Sequence, residues 1–444
     1  MRRTKIVCLT LLSVLLVAAC CQVGYSAHTV LSLDDLPASG ESLVITSDSI
    51  LTVDEGETAV IEGALQINGT EDAITELKIV NNGELTIEST TIRCNHANLT
   101  IHNAGFLTFE TVHITVIGNS TFAANNEGDC LMIDTSVDIL GGYFYFTNDG
   151  ALTVQNGYFK DQFDGTFIKN YGEAGLFETT FVVNGAEGKL ELFNSGELLL
   201  RHSVFDVNYG GTVNMNSLTG NLTMNECSMD VSGWSHGDRS AVNILGGNAT
   251  WQLCSLVNNG GVINYLNDGE ANVNNCTLAM SSVNSSTILS STGPMVFENF
   301  QLSGSGSTSI TNWDSLTLIN SDYNSSHSLT LMNNGELNAE NWLVKTTSNT
   351  ARIVVYNGDD GVITFNVPFI EDVSSSVLAS IGSEGKEFVE SSGGTITVTN
   401  NGLMSEQSSA GGGFDSTLIY ILAIVAAAIV VIVVFFVIRK KKQK

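Results

Sequence analysis

Polar and apolar residues alternate along most of this chain, and the alternation repeats about every 22 residues. Most copies contain an Asn-x-Gly turn, with apolar residues two, four and nine positions after the glycine. After Gly83 these positions hold Leu85, Ile87 and Ile92. Alternation with a period of two is typical of a strand with one buried face. The pattern therefore predicts two or three short strands per copy, separated by tight turns.

The turn position can be followed from copy to copy. It is occupied by Gly63, Gly83, Gly105, Gly128, Gly150, Gly172, Gly196, Gly220, Gly247, Gly269, Gly293, Asp314, Gly335, Gly361 and Gly394. One copy cannot bury its own apolar face, so stacked copies must share a core. The pattern predicts an all-β chain: a single-stranded parallel β-helix of about 14 coils over residues 63–400, roughly 65 Å long at about 4.8 Å per coil.

Two residues of each copy should shape the turn. An asparagine two positions before the turn position recurs in nine copies, and stacked amides can bond to one another, so we expect a side-chain ladder. The glycine is expected to supply the positive φ of a tight turn. On these features the chain resembles the right-handed parallel β-helices of the pectin-lyase-like superfamily. The resemblance covers about residues 63–400 and implies architecture alone, because that fold carries lyases, hydrolases, adhesins and structural rods.

The N-terminus predicts secretion. Residues 1–27 have the layout of a signal peptide, with Arg2, Arg3 and Lys5 ahead of an apolar run. An alternative is a bacterial lipobox, in which Cys20 carries a lipid. Residues 28–62 are predicted to cap the first coil, because an open solenoid end would expose core and unpaired strand edges.

The C-terminus predicts a membrane anchor. Residues 417–438 are uncharged and form a helix of about 33 Å, enough to span a bilayer core. A Gly/Ser linker over residues 401–416 precedes this segment, and a basic tail over residues 439–444 follows it. Positive residues stay cytoplasmic, so the predicted protein is single-pass in the cell membrane with an extracellular N-terminal part. A dilysine signal at Lys441 and Lys442 leaves the endoplasmic reticulum as the alternative in a eukaryote.

Charge narrows the range of partners. The chain has 18 Lys+Arg against 46 Asp+Glu, a net charge of -28. A nucleic-acid partner would require a basic face, so none is expected. The acidic surface should also repel anionic polysaccharides and lipid head groups. An apolar content of 43% excludes a disordered acidic chain.

Three of the five cysteines beyond the signal peptide share one coil position in successive copies. Cys227, Cys254 and Cys276 stand where other copies have Thr or Ser, so we expect an inward stack of small core thiols. Three thiolates without a histidine do not complete a zinc site, and no metal is assigned. One disulfide, Cys227–Cys254 or Cys254–Cys276, is the alternative in an oxidising compartment.

One central copy carries a polar insertion. Insertions in solenoids often lie on the binding face, which makes Trp234 and His236 candidate ligand-binding residues. Asp206 and Asp230 fall at equivalent outward positions of adjacent copies and should lie side by side near the insertion. Facing carboxylates can shift each other's pKa or share a cation. No catalytic residue is assigned, and the candidates are Asp206, Asp230, His236, Asp238 and Arg239. A solvated loop beside two carboxylates explains the same residues without chemistry.

Two further surface features are ambiguous. Acidic residues directly after the turn glycine could form a Ca²⁺ stripe or a solvated edge: Glu84, Asp129, Glu173, Glu197, Glu270 and Glu336. No cofactor is assigned, and Ca²⁺ is the single candidate. Glycosylation sequons, compatible with a surface glycoprotein, occur at Asn68, Asn98, Asn119, Asn221, Asn248, Asn275, Asn284 and Asn324.

These observations favour a non-enzymatic, membrane-anchored cell-surface β-helix that serves in adhesion or ligand binding, or as a structural stalk. Its expected partners are the membrane, through the C-terminal helix, and a glycan or surface-protein ligand. The alternative is a membrane-tethered polysaccharide lyase or glycoside hydrolase of the pectin-lyase-like type. An enzyme should bring three or more polar groups together near Asp206, Asp230 and His236, whereas a stalk should present them separately to solvent.

Overall fold

The computed structural model describes residues 28–233, 239–340, 343–346, 352–358, 360–366, 389–391, 395–400 and 403–406. Over these residues the chain is an all-β parallel β-solenoid of about 14 turns, as the repeat predicts. The predicted signal peptide, transmembrane helix and basic tail lie outside the described residues. The helical content of the described part is a 3-10 turn, η1 at Leu33–Asp35. No described helix is long and apolar enough to cross a bilayer.

The coils contribute strands to three parallel sheets, which we call faces A, B and C in chain order. Face A contains β1 Thr29–Leu31, β3 Ser49–Val53, β5 Thr75–Asn81, β7 Ala97–Asn103, β10 Ser120–Asn126, β13 Gly142–Asn148, β16 Gly165–Asn170, β19 Lys189–Asn194, β26 Val262–Asn267, β29 Ser286–Ser291, β32 Ser307–Asn312, β35 Ser328–Asn333, β38 Arg352–Asn357 and β41 Thr395–Asn400. Two long strands, β22 Thr212–Asn225 and β24 Ala241–Gln252, begin on face A and continue onto face B.

Face B also contains β8 Phe106–Glu110, β11 Asp129–Ile133, β14 Ala151–Gln155, β17 Glu173–Phe177, β20 Glu197–Arg201, β27 Ala271–Asn274, β30 Met295–Glu298, β33 Ser315–Ile319, β36 Glu336–Glu340, β39 Val362–Asn366 and β42 Leu403–Glu406. Face C contains β2 Glu41–Ile45, β9 His113–Ile117, β12 Ser136–Ile139, β15 Tyr158–Asp161, β18 Thr180–Asn184, β21 Val204–Asn208, β23 Ser228–Ser232, β25 Ser255–Asn259, β28 Thr277–Met280, β31 Gln301–Gly304, β34 Asp322–Ser325, β37 Leu343–Thr346 and β40 Val389–Ser391. The strands β4 Thr58–Asn68 and β6 Glu84–Asn95 run from face B onto face C.

Alternation along the strands places one side of each in a continuous core. In β13, every second residue is buried from Gly142 to Asn148. Leu85 and Ile87 on face B and Ile92 on face C are fully buried, which confirms the apolar positions predicted after the turn glycine. Because each strand pairs in register with its equivalents above and below, like residues stack in columns along the solenoid.

The turn between faces A and B, here the asparagine corner, contains the predicted amide ladder. Nδ2 of each asparagine donates to Oδ1 of the next at 2.6–2.8 Å along Asn81, Asn103, Asn126, Asn148, Asn170 and Asn194. A second run joins Asn312, Asn333 and Asn357 at 2.8 Å. Asn81 and Asn312, which begin the two runs, each keep a buried Oδ1 without a partner. The ladder is therefore directional, and its first amide has no donor below it.

The expected role of the turn glycines was wrong. None of the described turn glycines from Gly83 onward has a φ in the left-handed region, and Gly63, predicted as an equivalent position, lies instead where β4 passes from face B to face C. Glycine is favoured at these positions because the neighbouring coil leaves too little space for a Cβ. A Cβ at Gly150 would lie 2.1 Å from the carbonyl oxygen of Gly128 in the preceding coil, and the same contact recurs at Gly105 and Gly172. The corners of these coils stack too closely for a side chain, whereas Asp314 occupies the same position in a later coil.

Eleven of the fifteen non-glycine residues with a positive φ in the described chain lie at the turn between faces B and C, which we call the left-handed corner. One non-glycine residue in each of eleven successive coils has a φ of 47–56°: Ser89, Thr111, Asp134, Asn156, Glu178, His202, Glu226, Leu253, Asn275, Asn299 and Asn320. Each left-handed residue other than asparagine or aspartate costs about 1 kcal/mol or more. The cost is repeated because a single left-handed residue turns the chain between two sheets.

The solenoid strands extend beyond the predicted 63–400 range. Residues 28–62, predicted as a cap, contribute β1, β2, β3 and the start of β4, so strand pairing begins at Thr29. Leu31, Leu33, Leu36 and Leu43 of this segment pack against the core. Strand β42 lies within the predicted linker and pairs with β39.

Candidate functional site

Asp206 and Asp230 lie side by side on face C. They are Cα partners in β21 and β23, and both side chains point outward. Asp206 accepts a hydrogen bond from Asn208, and Asp230 accepts one from the Ser232 hydroxyl at 3.4 Å. The flanking rungs of the same column are Val182 and Val257. The pair therefore sits on an open sheet between two apolar rungs.

The polar insertion lies mostly outside the described residues. Trp234, His236 and Asp238 lie outside the described residues, whereas Arg239 is described and exposed just before β24. The structure thus brings together Asp206 and Asp230 from the candidate set. An enzyme should bring three or more polar groups together, and the described candidates Asp206, Asp230 and Arg239 do not show this arrangement.

A second polar cluster on face C was missed by the sequence analysis. His113 Nδ1 lies 2.7 Å from Ser136 Oγ, and its Nε2 lies 3.1 Å from Thr115 Oγ1 and 3.7 Å from Asp138 Oδ2. These are the residue types of a nucleophile, a base and an orienting acid. Strand β12 pairs on both sides, so its backbone N–H groups are engaged in the sheet and offer no donor to a developing oxyanion. The signal in the sequence was the coil spacing, which aligns His113 with Ser136.

Tyr158 connects the two face C clusters. It is the Cα partner of Ser136 in the next coil. Burial and the negative charges of Asp138 and Asp206 raise the pKa of Tyr158, so its phenol stays protonated and can donate a hydrogen bond. Face C thus presents an acidic, hydroxyl-rich surface that is open to water.

The three cysteines occupy one inward column at the left-handed corner. Cys227, Cys254 and Cys276 are buried and free. Cys227 Sγ lies 3.5 Å from the carbonyl oxygen of Leu200, as the Ser203 hydroxyl lies 3.1 Å from that of Leu176 in the preceding coil. The thiols therefore take the place of hydroxyl groups that bond between coils. The remaining described cysteines, Cys94 and Cys130, are also buried and free.

The acidic positions after the turn glycine are mostly separated. Phe106 stands between Glu84 and Asp129, and Asn221 follows Glu197. Asn221 Nδ2 donates to Glu197 Oε1 at 2.6 Å, so this carboxylate is hydrogen-bonded to an amide of the next coil. Within the described residues, no group of three His, Cys, Asp or Glu side chains could hold a metal ion.

The sequon asparagines differ in accessibility. Five of them are exposed: Asn119, Asn221, Asn248, Asn275 and Asn284. Three are half-buried: Asn68, Asn98 and Asn324. Asn221 and Asn248 lie on adjacent rungs of face B, joined by a 3.2 Å hydrogen bond. Glycans at both positions would leave the solenoid at neighbouring coils.

The outward side of face A contains a groove of about 550 Å³ that the sequence analysis also missed. Its middle is an amide column, which we define as Asn214, Asn243 and Asn264. Asn243 Nδ2 donates to Asn214 Oδ1 at 2.9 Å, and Asn264 Nδ2 donates to Asn243 Oδ1 at 2.7 Å. Leu245 and Leu266 form the parallel column on one side. The groove therefore combines amides with aliphatic walls.

An aromatic pair continues the amide column. Tyr145 and Phe167 are Cα partners and stack with ring centroids 4.8 Å apart. Glu191 lies between Phe167 and Asn214 in the same column. Lys189 binds Glu191 at 2.5 Å and lies 6.0 Å from the Phe167 ring centroid. The charges of Lys189 and Glu191 thus balance at this end of the groove.

No protein-family model, curated protein or solved structure matches this chain. The resemblance to parallel β-helices accordingly stands at the level of architecture, a parallel β-solenoid of about 14 turns. Function must be argued from the surface of this chain.

Proposed function

We propose that this chain is a single-pass cell-surface protein whose β-solenoid ectodomain binds a ligand without chemically altering it. The apolar segment over residues 417–438 supports the anchor, and the basic tail after it supports an extracellular solenoid. Ligand binding is supported by the face A groove. A concave site with apolar walls and a few placed polar groups is typical of a binding pocket.

The contrast between faces A and C carries the proposal. Face A has a groove with aligned amides, whereas Asp206 and Asp230 on face C are flanked by valine rungs. A hydrolase or lyase needs an acid, a base and the reacting bond within reach of one another. Asp206 and Asp230 do not converge in this way with the described Arg239. Ser136 of the His113–Ser136 pair lies on a strand whose backbone N–H groups are engaged in the sheet, so binding explains the surface better than catalysis.

The test uses the full-length chain in detergent micelles with calcium present. Neutral and acidic polysaccharides and candidate surface proteins are screened for retention, new reducing ends and unsaturated products together. We expect retention without cleavage. Cleavage that disappears in Asp206→Ala or Asp230→Ala would instead establish the alternative, a membrane-tethered polysaccharide lyase or glycoside hydrolase. Retention of no ligand would favour a structural stalk and overturn the proposal.

The predicted anchor is tested separately. Removal of residues 417–444 should release the protein from membranes into the soluble fraction. The full-length chain should resist extraction at alkaline pH. Extraction of the full-length chain under those conditions would refute the membrane-spanning segment.

A further inference from the structure

The face A groove has the chemistry of a site for an uncharged oligosaccharide. We propose that the amide column and the aromatic pair bind a neutral glycan chain that runs along the solenoid axis. This inference rests on the proposed ligand-binding function and specifies its site and ligand class. The argument comes from hydrogen-bonding capacity, apolar surface, charge and spacing.

The amide column keeps unused hydrogen-bonding capacity. A side-chain amide has two N–H donors and two acceptor lone pairs. Asn243 uses one N–H on Asn214 and one lone pair on Asn264, so one of each remains. Asn264 Oδ1 also lacks a partner, but this atom is buried and out of reach of a ligand in the groove. A sugar hydroxyl both donates and accepts, which matches the donor and acceptor that remain on Asn243.

The apolar parts of the groove suit the other side of a sugar ring. Leu266 and Ile288 are exposed at the groove, and the stacked rings of Tyr145 and Phe167 form a platform on the same column. A pyranose ring has a face of C–H groups that packs on such surfaces. Burial and the nearby charges of Tyr143 and Glu191 raise the pKa of Tyr145, so its hydroxyl remains a donor beside the platform.

Charge favours a neutral ligand over an anionic one. Glu191 is the charged residue that lines the groove, and it is paired with Lys189. Among the residues that line the groove, none is a cation that could pair with a uronic acid or phosphate, and the exposed Lys169 lies one rung beyond the lining residue Phe193. The net charge of -28 over the chain adds repulsion for any polyanion that approaches.

The spacing of the rungs favours a polymer. Equivalent side chains recur about every 4.8 Å along the solenoid, which is close to the length of one hexose unit in an extended glycan. The column from Tyr145 to Asn264 continues in register over six successive coils. Each sugar of a linear chain can therefore meet one rung of this column, an aromatic ring at one end and an asparagine at the other.

The experiment measures binding of linear hexasaccharides to the full-length chain in detergent micelles by isothermal titration. The probes are uncharged β-1,4-glucan, β-1,3-glucan and β-1,4-mannan hexamers, with hexagalacturonate as the acidic comparison. The groove variants are Asn243→Leu, which keeps side-chain volume, and Tyr145→Ala, with Tyr145→Phe retaining the platform. Asp206→Asn on face C is the matched control.

We expect at least one neutral hexamer to bind, and Asn243→Leu and Tyr145→Ala each to weaken it about tenfold, the equivalent of one lost hydrogen bond or stacking contact. Tyr145→Phe should lose less, and Asp206→Asn should bind as the unmodified chain does. Thermal unfolding of each variant checks that the solenoid is intact. If Asn243→Leu does not fold, the two Tyr145 variants still decide the question.

Three results would overturn the inference. Exclusive binding of hexagalacturonate, or of a surface protein, would refute the neutral ligand while leaving the ligand-binding function in place. If a neutral hexamer binds the groove variants with unchanged affinity and Asp206→Asn with altered affinity, the proposed site would be refuted while the ligand class would stand. Failure to bind any hexamer or surface protein would refute both the inference and the proposed function.

Discussion

Asp161 has a buried carboxyl group in a column of aliphatic side chains. Replacing this residue tests how its burial affects the free energy of unfolding. It follows Ile139 and precedes Val183 at an inward position of face C and is 1% exposed. The Thr166 hydroxyl donates to its Oδ2 at 3.1 Å, while Oδ1 has no partner. Burial outweighs the hydrogen bonds to the carboxylate and raises the pKa of Asp161 to about 7. The folded protein therefore prefers this side chain protonated below neutral pH.

The sign of the pH dependence follows from that shift. In the unfolded chain the pKa of an aspartate is about 3.9, so between about pH 4 and pH 7 the unfolded state is ionised while the folded state holds a proton. The contribution of Asp161 to the free energy of unfolding then falls by about 1.4 kcal/mol per pH unit. The loss reaches about 4 kcal/mol above pH 7 and is absent below about pH 4, where both states are protonated.

Asp161→Asn removes the titration while keeping the shape of the side chain. We expect the variant to exceed the unmodified chain in free energy of unfolding, by a margin that grows by about 3 kcal/mol between pH 5 and pH 8. The assay is urea unfolding of the full-length chain in detergent, followed by far-UV circular dichroism at both pH values. Asp206→Asn, on the exposed side of face C, should show no such growth. An equal margin at both pH values, or a less stable Asp161→Asn at pH 8, would refute the reasoning.

Two further predictions concern the corners. Gly150→Ala should lower the free energy of unfolding by about 3 kcal/mol, because its Cβ meets the Gly128 carbonyl oxygen. Gly175→Ala is the control, since the nearest atoms to the added Cβ there belong to the Phe177 side chain, which can rotate away, rather than to the backbone. Equal losses in urea unfolding would contradict the steric explanation. Leu253→Asn should raise stability by about 1 kcal/mol, since Leu253 is exposed at a φ of 55° that asparagine tolerates better. An unchanged or lower unfolding midpoint for this variant would contradict that cost.

The architecture was predictable because inward positions repeat. Leu85 and Asn103 each stack on an equivalent residue one coil away and contact the same kind of neighbours. The same residue type is therefore favoured at that position in successive coils, and the repeat is visible in the sequence. The left-handed corner escaped prediction because its side chains point away from the core. Ser89, Glu178 and Leu253 share a backbone conformation and no side-chain property.

The candidate site was less predictable for the same physical reason. Outward side chains are not constrained by packing in the core, so their identities vary from coil to coil. Asp206 and Asp230 were paired correctly because one coil spacing separates them. Predicting the groove requires several outward columns to be compared across several coils. Asn214, Asn243 and Asn264 stand at irregular spacings because the coil between the first two is longer.

The groove lies where the internal repeat is weakest. The amide ladder stops after Asn194, where the corner position becomes Ser217 and then Gly246. In these coils β22 and β24 continue through the corner, and their pairing shifts register between Ser217 and Asn221. The buried hydrogen bond between stacked asparagines, which repeats in other coils, is missing in the coils whose strands carry the amide column. Local departures from a consistent pattern tend to occur at functional sites. The interrupted ladder inside and the aligned amides outside occur in the same few coils, which supports placing the proposed ligand site there.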